Sequence, residues 1–172
     1  MSNLLGNDLI GHTVKQVYLH NKRNEIYLEL SGGNYNWFAG FQWSIPLQNL
    51  DVNKLENKRN ESCIVECDLK NKVITKVTQF PYYSNSCLLT TADNEMYYIS
   101  FYSKLQPHIP RNGDMSNYKG SIEKVTDEER YNSIIDFETM KSPDNDYYYI
   151  KYNLPIPNID LTVYHEIRSQ IF

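Results

Sequence analysis

Apolar and polar residues alternate over much of residues 13–102, and a period of two predicts β-strands. The clearest case is EIYLEL at residues 25–30, where every even position is aliphatic. Turn-forming residues flank this stretch, with NKRN before it and SGGN after it. Alternation continues on both sides of these turns, which predicts a three-stranded antiparallel meander over residues 13–43.

The following residues repeat the alternating pattern as hairpins. After a polar, loop-like stretch at residues 46–61, strands are predicted over 63–69 and 73–80, with a Lys-Asn-Lys turn between them. A further hairpin is predicted from residues 87–91 and 96–102, joined by the turn sequence ADNE. These strands bring the predicted number before residue 103 to seven.

Helical spacing replaces alternation toward the C-terminus. Thr126 and Glu129 have the spacing of a capping box, which predicts a helix from residue 127 to about residue 140. YYYIKY at residues 147–152 has the composition of a strand. Asp160 is predicted to cap a final helix, whose apolar positions recur at helical spacing: Leu161, Tyr164, Ile167 and Ile171.

Together these elements predict an α+β fold. We expect a predominantly antiparallel sheet of about seven or eight strands, in meanders and hairpins, with one or two helices toward the C-terminus. The chain of 172 residues suits one domain, so residues 1–172 are predicted to form a single unit. Residues 103–120 contain two prolines and two glycines and are the longest predicted loop, of a length that is often functional.

Charge and composition exclude several classes of partner. The formal charge is -4 and no basic stripe is present, which argues against a nucleic-acid-binding protein. The opening sequence has neither the basic start nor the apolar run of a signal peptide, and no stretch reaches the ~20 apolar residues of a membrane span. We therefore expect no membrane partner. An odd number of cysteines, three, favours reduced thiols in the cytoplasm.

No pattern in the sequence has the spacing of a catalytic or metal-binding motif. Cys63 and Cys67 are separated by three residues, where zinc and redox motifs have two, and we interpret them as core residues flanking Val65. We predict no catalytic residue, metal or cofactor, and we favour a protein that is not an enzyme. The histidines show no ligand spacing: His12, His20, His108 and His165.

The densest aromatic stretch is NYNWFAGFQW at residues 34–43. Read as one strand, it places both tryptophans on a single face, which predicts a core-facing surface. Phe38 falls on the opposite, polar face and is the better candidate for an exposed apolar contact. The residues of the predicted core face are Tyr35, Trp37, Ala39, Phe41 and Trp43.

A second aromatic stretch, DNDYYYIKY at residues 144–152, has aromatic residues on both faces of the predicted strand. Tyr147, Tyr149 and Lys151 would share one face. Either the strand is covered on both sides, or these tyrosines contact a partner. The preceding Asp144 and Asp146 favour a partner protein with a basic surface, through charge complementarity.

The leading hypothesis is a non-enzymatic protein-interaction module. Its small size, mild acidity and tyrosine content resemble those of inhibitors and toxin-immunity proteins; this resemblance rests on composition and on no motif. The predicted binding residues come from the second aromatic stretch, from the first, and from the 103–120 loop. They are Asp144, Asp146, Tyr147, Tyr149, Lys151, Phe38, His108 and Arg111.

Two alternatives remain open at this point. The first is a small-molecule-binding or hydrolytic protein, with a pocket in a curved sheet and His108 or His20 as acid or base. The second is a homo-oligomer, in which the tyrosine-rich surface pairs with its own copy.

Overall fold

A computed structural model describes most of the chain in separate ranges, and it confirms the predicted α+β class with antiparallel sheets and C-terminal helices. Nine strands and two α-helices lie within these ranges. The single-domain boundary stays a prediction. The described residues are 9–20, 25–39, 42–46, 62–80, 86–100, 121–139, 150–153, 155 and 160–172.

The first sheet contains five antiparallel strands in the order β4-β3-β2-β1-β5. Its strands are β1 Val14–His20, β2 Glu25–Leu30, β3 Asn34–Ala39, β4 Gln42–Pro46 and β5 Ser62–Ile64. Strands β1 to β3 confirm the predicted meander. The apolar positions of β2 are buried as the alternation requires, since Ile26, Leu28 and Leu30 are at most 1% exposed.

The single strand predicted over residues 34–43 is wrong. The chain reverses between Ala39 and Gln42, which pair with each other across antiparallel β3 and β4. Two residues separate these positions, the length of a tight hairpin connection. The two tryptophans therefore lie on different strands, with Trp37 opposite Ile45. Their side chains lie outside the described part of the structure.

A β-bulge changes the alternation in β1. Val14 pairs with Leu30 and Gln16 pairs with Glu29, so one extra residue of β1 lies between the two pairs. Val14 and Val17, three residues apart, can therefore both face the core, and both are at most 1% exposed. The prediction of strict alternation from residue 13 to residue 20 is wrong for this reason.

The second sheet contains four antiparallel strands in the order β6-β7-β8-β9. Its strands are β6 Ile74–Gln79, β7 Cys87–Thr91, β8 Met96–Ser100 and β9 Ser121–Val125. The predicted hairpin of β7 and β8 is confirmed. Strand β9 was not predicted, because most of its side chains are polar and only Val125 is fully buried.

Residues 63–80 do not form the predicted hairpin. Strand β5 ends at Ile64 and pairs with β1 in the first sheet, whereas β6 pairs with β7 in the second. The turn at residues 68–71, with Asn71 at φ 70°, carries the chain from one sheet to the other. An amide side chain tolerates this left-handed conformation better than most residues do.

The second sheet is buried on both faces, so the described elements form three layers. Every residue of β8 is buried. One core fills the space between the sheets; its buried members are Leu9, Val14, Val17, Ile26, Leu28, Leu30, Leu69, Ile74, Cys87, Leu89, Tyr97 and Ile99. The other joins the second sheet to the helices; its buried members are Phe80, Leu88, Met96, Tyr98, Val125, Tyr131, Ile134, Ile135, Tyr164 and Ile167.

The first helix, α1, runs from Glu128 to Thr139, close to the predicted bounds. Its N-cap is Asp127, whose Oδ1 accepts a 2.7 Å hydrogen bond from the backbone N–H of Arg130. The predicted cap, Thr126, is one residue too early. The buried positions of α1 recur at helical spacing: Tyr131, Ile134, Ile135 and Glu138.

The second helix, α2, runs from Thr162 to Ile171. The N-cap is Leu161, so the predicted cap, Asp160, is one residue too early. Asp160 Oδ1 still accepts a 2.9 Å hydrogen bond from the N–H of Thr162, at the start of the helix. Leu161 precedes the helix and is 39% exposed, so it does not belong to the predicted apolar face.

Buried tyrosine hydroxyls connect the helical layer to the second sheet. The Tyr131 hydroxyl donates a 2.7 Å hydrogen bond to the carbonyl of Tyr164, and the Tyr164 hydroxyl donates a 2.9 Å bond to the carbonyl of Gln79. These bonds run from α1 through α2 to the end of β6. They fix the helices on the sheet more specifically than apolar contact alone, because a buried hydroxyl needs a partner.

Residues 150–153 form a helical turn, and the strand predicted over residues 147–152 is wrong where it can be compared. The N–H of Asn153 donates a 3.1 Å bond to the carbonyl of Ile150, and Asn153 has a φ of 52°. The β-propensity of tyrosine and isoleucine is a weak preference that local hydrogen bonding overrides here. Neither α1 nor α2, nor any other described helix, is long and apolar enough to cross a membrane.

Candidate functional site

Large apolar side chains reach the surface at six positions in the described part of the chain: Ile10, Ile64, Ile150, Tyr152, Leu161 and Phe172. Two of them lie two residues apart on the helical turn at residues 150–153. Ile150 is 70% exposed and Tyr152 is 56% exposed, with exposed Lys151 between them. Single exposed apolar residues are ordinary, and side chains two residues apart on a helical turn do not face each other. What these two share is exposure on one short segment. We define residues 150–152 as the 150–152 patch.

Lys151 and Tyr152 contact each other within this patch. The Lys151 Nζ lies 5.5 Å from the centroid of the Tyr152 ring, within the range of a cation–π interaction. The predicted strand placed these two side chains on opposite faces. The helical turn brings these two side chains together.

Lys151 is the one predicted binding residue whose side chain the structure describes, and it is exposed. Phe38 lies on β3 opposite Ile26, but its side chain is outside the described part. The other predicted binding residues also lie outside the described ranges: Asp144, Asp146, Tyr147, Tyr149, His108 and Arg111. The structure therefore neither gathers them into one surface nor separates them.

The described histidines have structural or solvent-exposed positions. His12 Nδ1 lies 3.1 Å from the carbonyl oxygen of Ser31 and 3.2 Å from its hydroxyl, which ties the start of β1 to the end of β2. His165 is exposed on α2. The His20 side chain and His108 are outside the described residues. Within those residues no group of three or more metal-ligating side chains comes together.

Two cysteine thiols are free, Cys67 and Cys87. Burial raises the pKa of the Cys67 thiol, and burial together with the charge of Glu138 raises the pKa of Cys87 strongly. A raised pKa keeps a thiol protonated and unreactive at neutral pH. Cys67 and Val65 pack against the core between the sheets, as predicted, while the Cys63 side chain lies beyond the described part.

The most unusual titratable group is Glu138, in the last turn of α1. Its side chain is only 5% exposed, and the Tyr98 hydroxyl of β8 donates a hydrogen bond to Glu138 Oε1. The Phe80 ring contacts Tyr98 edge-on and stacks on Tyr164, at centroid distances of 6.1 Å and 5.9 Å. The three rings belong to the buried cluster that joins the second sheet to the helices.

Burial raises the pKa of Glu138 to about 8, because the charged form cannot be hydrated in this setting. The hydroxyls of Tyr98 and Ser86 act in the opposite direction, since each favours the carboxylate. Burial and the adjacent Glu138 in turn raise the pKa of Tyr164 to about 12. The sequence holds one signal for this site, which is a glutamate at an apolar position of the α1 pattern, seven residues after Tyr131.

A network of charges surrounds the β7–β8 turn. Glu95 accepts a 2.8 Å hydrogen bond from the Tyr97 hydroxyl and lies 3.2 Å from Lys124 and 3.3 Å from Lys72. The hydrogen bond from Tyr97 is the largest cause that lowers the pKa of Glu95, and the ammonium groups of Lys124 and Lys72 lower it further. Partial desolvation acts in the opposite direction. Lys72 and then Thr91 lower the pKa of Asp93 to about 2. These contacts tie the β7–β8 turn to β9 and to Lys72, which precedes β6.

Comparisons with protein-family models, curated proteins and solved structures found no match to this chain. The function is therefore argued from the residues of the chain itself.

Proposed function

We propose that the chain is a non-enzymatic protein-interaction module that binds a partner protein through the 150–152 patch and the adjoining residues 144–149. Within this class, the composition favours an inhibitor or toxin-immunity type of protein acting in the cytoplasm. The observation that carries the proposal is the exposure of Ile150 and Tyr152, at 70% and 56%, on one short turn.

An exposed tyrosine beside an exposed aliphatic residue is the composition of a binding hot spot. Tyrosine is enriched at such sites because it buries a large ring while its hydroxyl stays hydrogen-bonded. Lys151 lies against the Tyr152 ring, which reduces the number of conformations that the tyrosine would lose on binding.

The chemistry of the partner follows from charge. The protein carries a formal charge of -4, and Asp144 and Asp146 precede the patch in sequence. A partner with a basic surface around an apolar cleft would match both features. Complementary charges of this kind increase the association rate, and they do so less as the salt concentration rises.

The test is affinity capture from a lysate of the source cell with three forms of the protein. These are the wild type, the double variant Ile150→Ser/Tyr152→Ser, and the control Ile64→Ser. Ile64 is a suitable control because it is also 56% exposed but lies on β5 in the first sheet. A protein retained in stoichiometric amount is then purified, and its affinity for each form is measured.

We expect the partner to bind the wild type and the control equally and to bind the double variant at least tenfold more weakly. A tenfold loss corresponds to about 1.4 kcal/mol, more than the ~1 kcal/mol that most interface residues do not exceed when they are truncated. Equal binding to all three forms would refute the proposed surface. If no protein is retained while a small molecule raises the melting temperature, the small-molecule-binding alternative would replace the proposal.

A further inference from the structure

Glu138 joins three structural elements at a single buried carboxyl. It belongs to the last turn of α1, contacts Tyr98 on β8, and lies beside Ser86 at the start of β7. Its side chain is 5% exposed, and the rings of Phe80, Tyr98 and Tyr164 shield this region from water.

The position disfavours a negative charge for two independent reasons. An ionised carboxyl loses its hydration on burial, and no cation compensates it among the residues that the structure describes. The C-terminal end of a helix also carries the partial negative charge of unpaired carbonyls, which repels an anion. A neutral carboxylic acid avoids both costs and keeps its hydrogen bond with Tyr98.

We propose that Glu138 is a pH-dependent switch, which holds the last turn of α1 against the second sheet when it is protonated and releases that turn when it ionises. Ionisation of a carboxyl in this apolar setting is possible where the turn opens and water reaches the oxygens. The switch is a property of the fold, and it does not depend on the proposed partner protein.

The other groups that face the Glu138 carboxyl do not account for a change in the opening of the turn over the same pH range. Tyr98 of β8 and Tyr164 of α2 are phenols, and the pKa of Tyr164 is raised to about 12. Cys87 of β7 has a pKa raised by burial and by Glu138 itself. Ser86 does not titrate. The response between mildly acidic and mildly basic pH therefore belongs to Glu138.

The pH range follows from linkage. Glu138 has its ordinary value of 4.5 in an open turn and about 8 in the closed one. The open form loses its proton first, so the equilibrium constant for opening rises about tenfold per pH unit between about pH 5 and pH 8. Above pH 8 both forms are ionised and the opening constant becomes independent of pH.

The experiment measures hydrogen-exchange protection factors of the α1 amides from pH 5 to pH 9, after correction for intrinsic exchange. The forms compared are the wild type, Glu138→Gln, and the control Glu129→Gln, an exposed position on the same helix. Glutamine keeps the acceptor for Tyr98 but never ionises. We expect protection of residues 135–139 to fall about tenfold per unit in the wild type and in the control, and to stay constant in Glu138→Gln.

A second measurement uses the wild type alone and does not require any variant to fold. Carbon NMR follows the Glu138 side-chain carboxyl through the same titration. A midpoint well above 4.5, toward 8, supports the switch. A midpoint near 4.5, or equal pH dependence in the wild type and Glu138→Gln, would overturn it.

Discussion

Replacing Glu138 with glutamine changes the pH dependence of global stability by an amount that follows from its burial. The folded pKa of about 8 lies above the ordinary value of 4.5, so the folded protein holds this proton more tightly than the unfolded chain does. Stability contributed by the proton is complete below pH 4.5 and is lost as the pH rises toward 8. The wild type is therefore destabilised by rising pH across this range.

The magnitude comes from the distance between pH 4.5 and pH 7. Two and a half pH units, at about 1.4 kcal/mol per unit, give an upper limit of about 3.5 kcal/mol. The unfolded chain is already half ionised at pH 4.5, which reduces the loss for the wild type to about 3 kcal/mol. Glu138→Gln cannot ionise and loses nothing from this source. A change of this size is a large fraction of the free energy that keeps a small domain folded.

The assay is urea unfolding at half-unit steps from pH 4.5 to pH 8.5, followed by far-ultraviolet circular dichroism. We expect the difference in unfolding free energy, Glu138→Gln minus wild type, to increase by about 3 kcal/mol between pH 4.5 and pH 7. Above pH 8 this difference should stay constant. Glu129→Gln, at an exposed position, should follow the wild type. Parallel profiles for the wild type and Glu138→Gln would refute the assigned burial of an uncompensated carboxyl.

Three further outcomes follow from the fold. Asp127→Ala should lower the free energy of unfolding in urea by about 1 kcal/mol, because the α1 cap is lost, and Thr126→Ala should lower it clearly less. Equal losses would support Thr126 as the cap, as the sequence predicted. Leu88→Ala and Leu89→Ala should each lower the free energy of unfolding by about 2–5 kcal/mol. Hydrogen exchange should become faster in α1 for Leu88→Ala and in the first sheet for Leu89→Ala. If both changes loosened the same layer, the three-layer arrangement would be wrong. Asp93 has a lowered pKa in the folded state, so its charge stabilises the fold at neutral pH and this stability is lost between about pH 4 and pH 2. Asp93→Asn should therefore lose less stability than the wild type over that range. The same loss of unfolding free energy in both proteins would contradict the ion pair with Lys72.

Local patterns in the sequence were sufficient to predict the strands and helices that bury a single face. Residues 25–30 have one face in the core, and the alternation of the sequence matches their burial. The helix at residues 128–139 carries buried positions at helical spacing and matches the predicted bounds of residue 127 to about residue 140. In both elements a single buried surface determines which residue types occur, so periodicity alone identifies the structure.

Long-range arrangement could not be derived in this way. Alternation predicts that β5 and β6 are strands, but no local signal assigns them to different sheets. The bulge after Val14 inserts a residue that changes which positions face the core, and nothing in the sequence marks it. Strand β9 lies at the edge of its sheet with mostly polar side chains, and its pattern is indistinguishable from a loop.

The two candidate sites were predictable to different extents. The sequence left open whether residues 147–152 are covered on both sides or contact a partner, and the described residues of that stretch, 150–152, are exposed. Its helical turn was not predicted, because tyrosine and isoleucine favour strands when their hydrogen bonding is unknown. The buried state of Glu138 depends on rings from β8, α2 and the end of β6, which are distant in sequence. A glutamate at an apolar helix position was the one local indication.

The central claim is that the 150–152 patch binds a protein, and a hydrogen-exchange footprint of the purified complex tests it most directly. The exchange of each peptide is compared between the free chain and the complex with the captured partner. We expect new protection over residues 144–153, and none at the β7–β8 turn at residues 92–95. Protection that leaves residues 144–153 unchanged would contradict the claim and place the binding surface elsewhere.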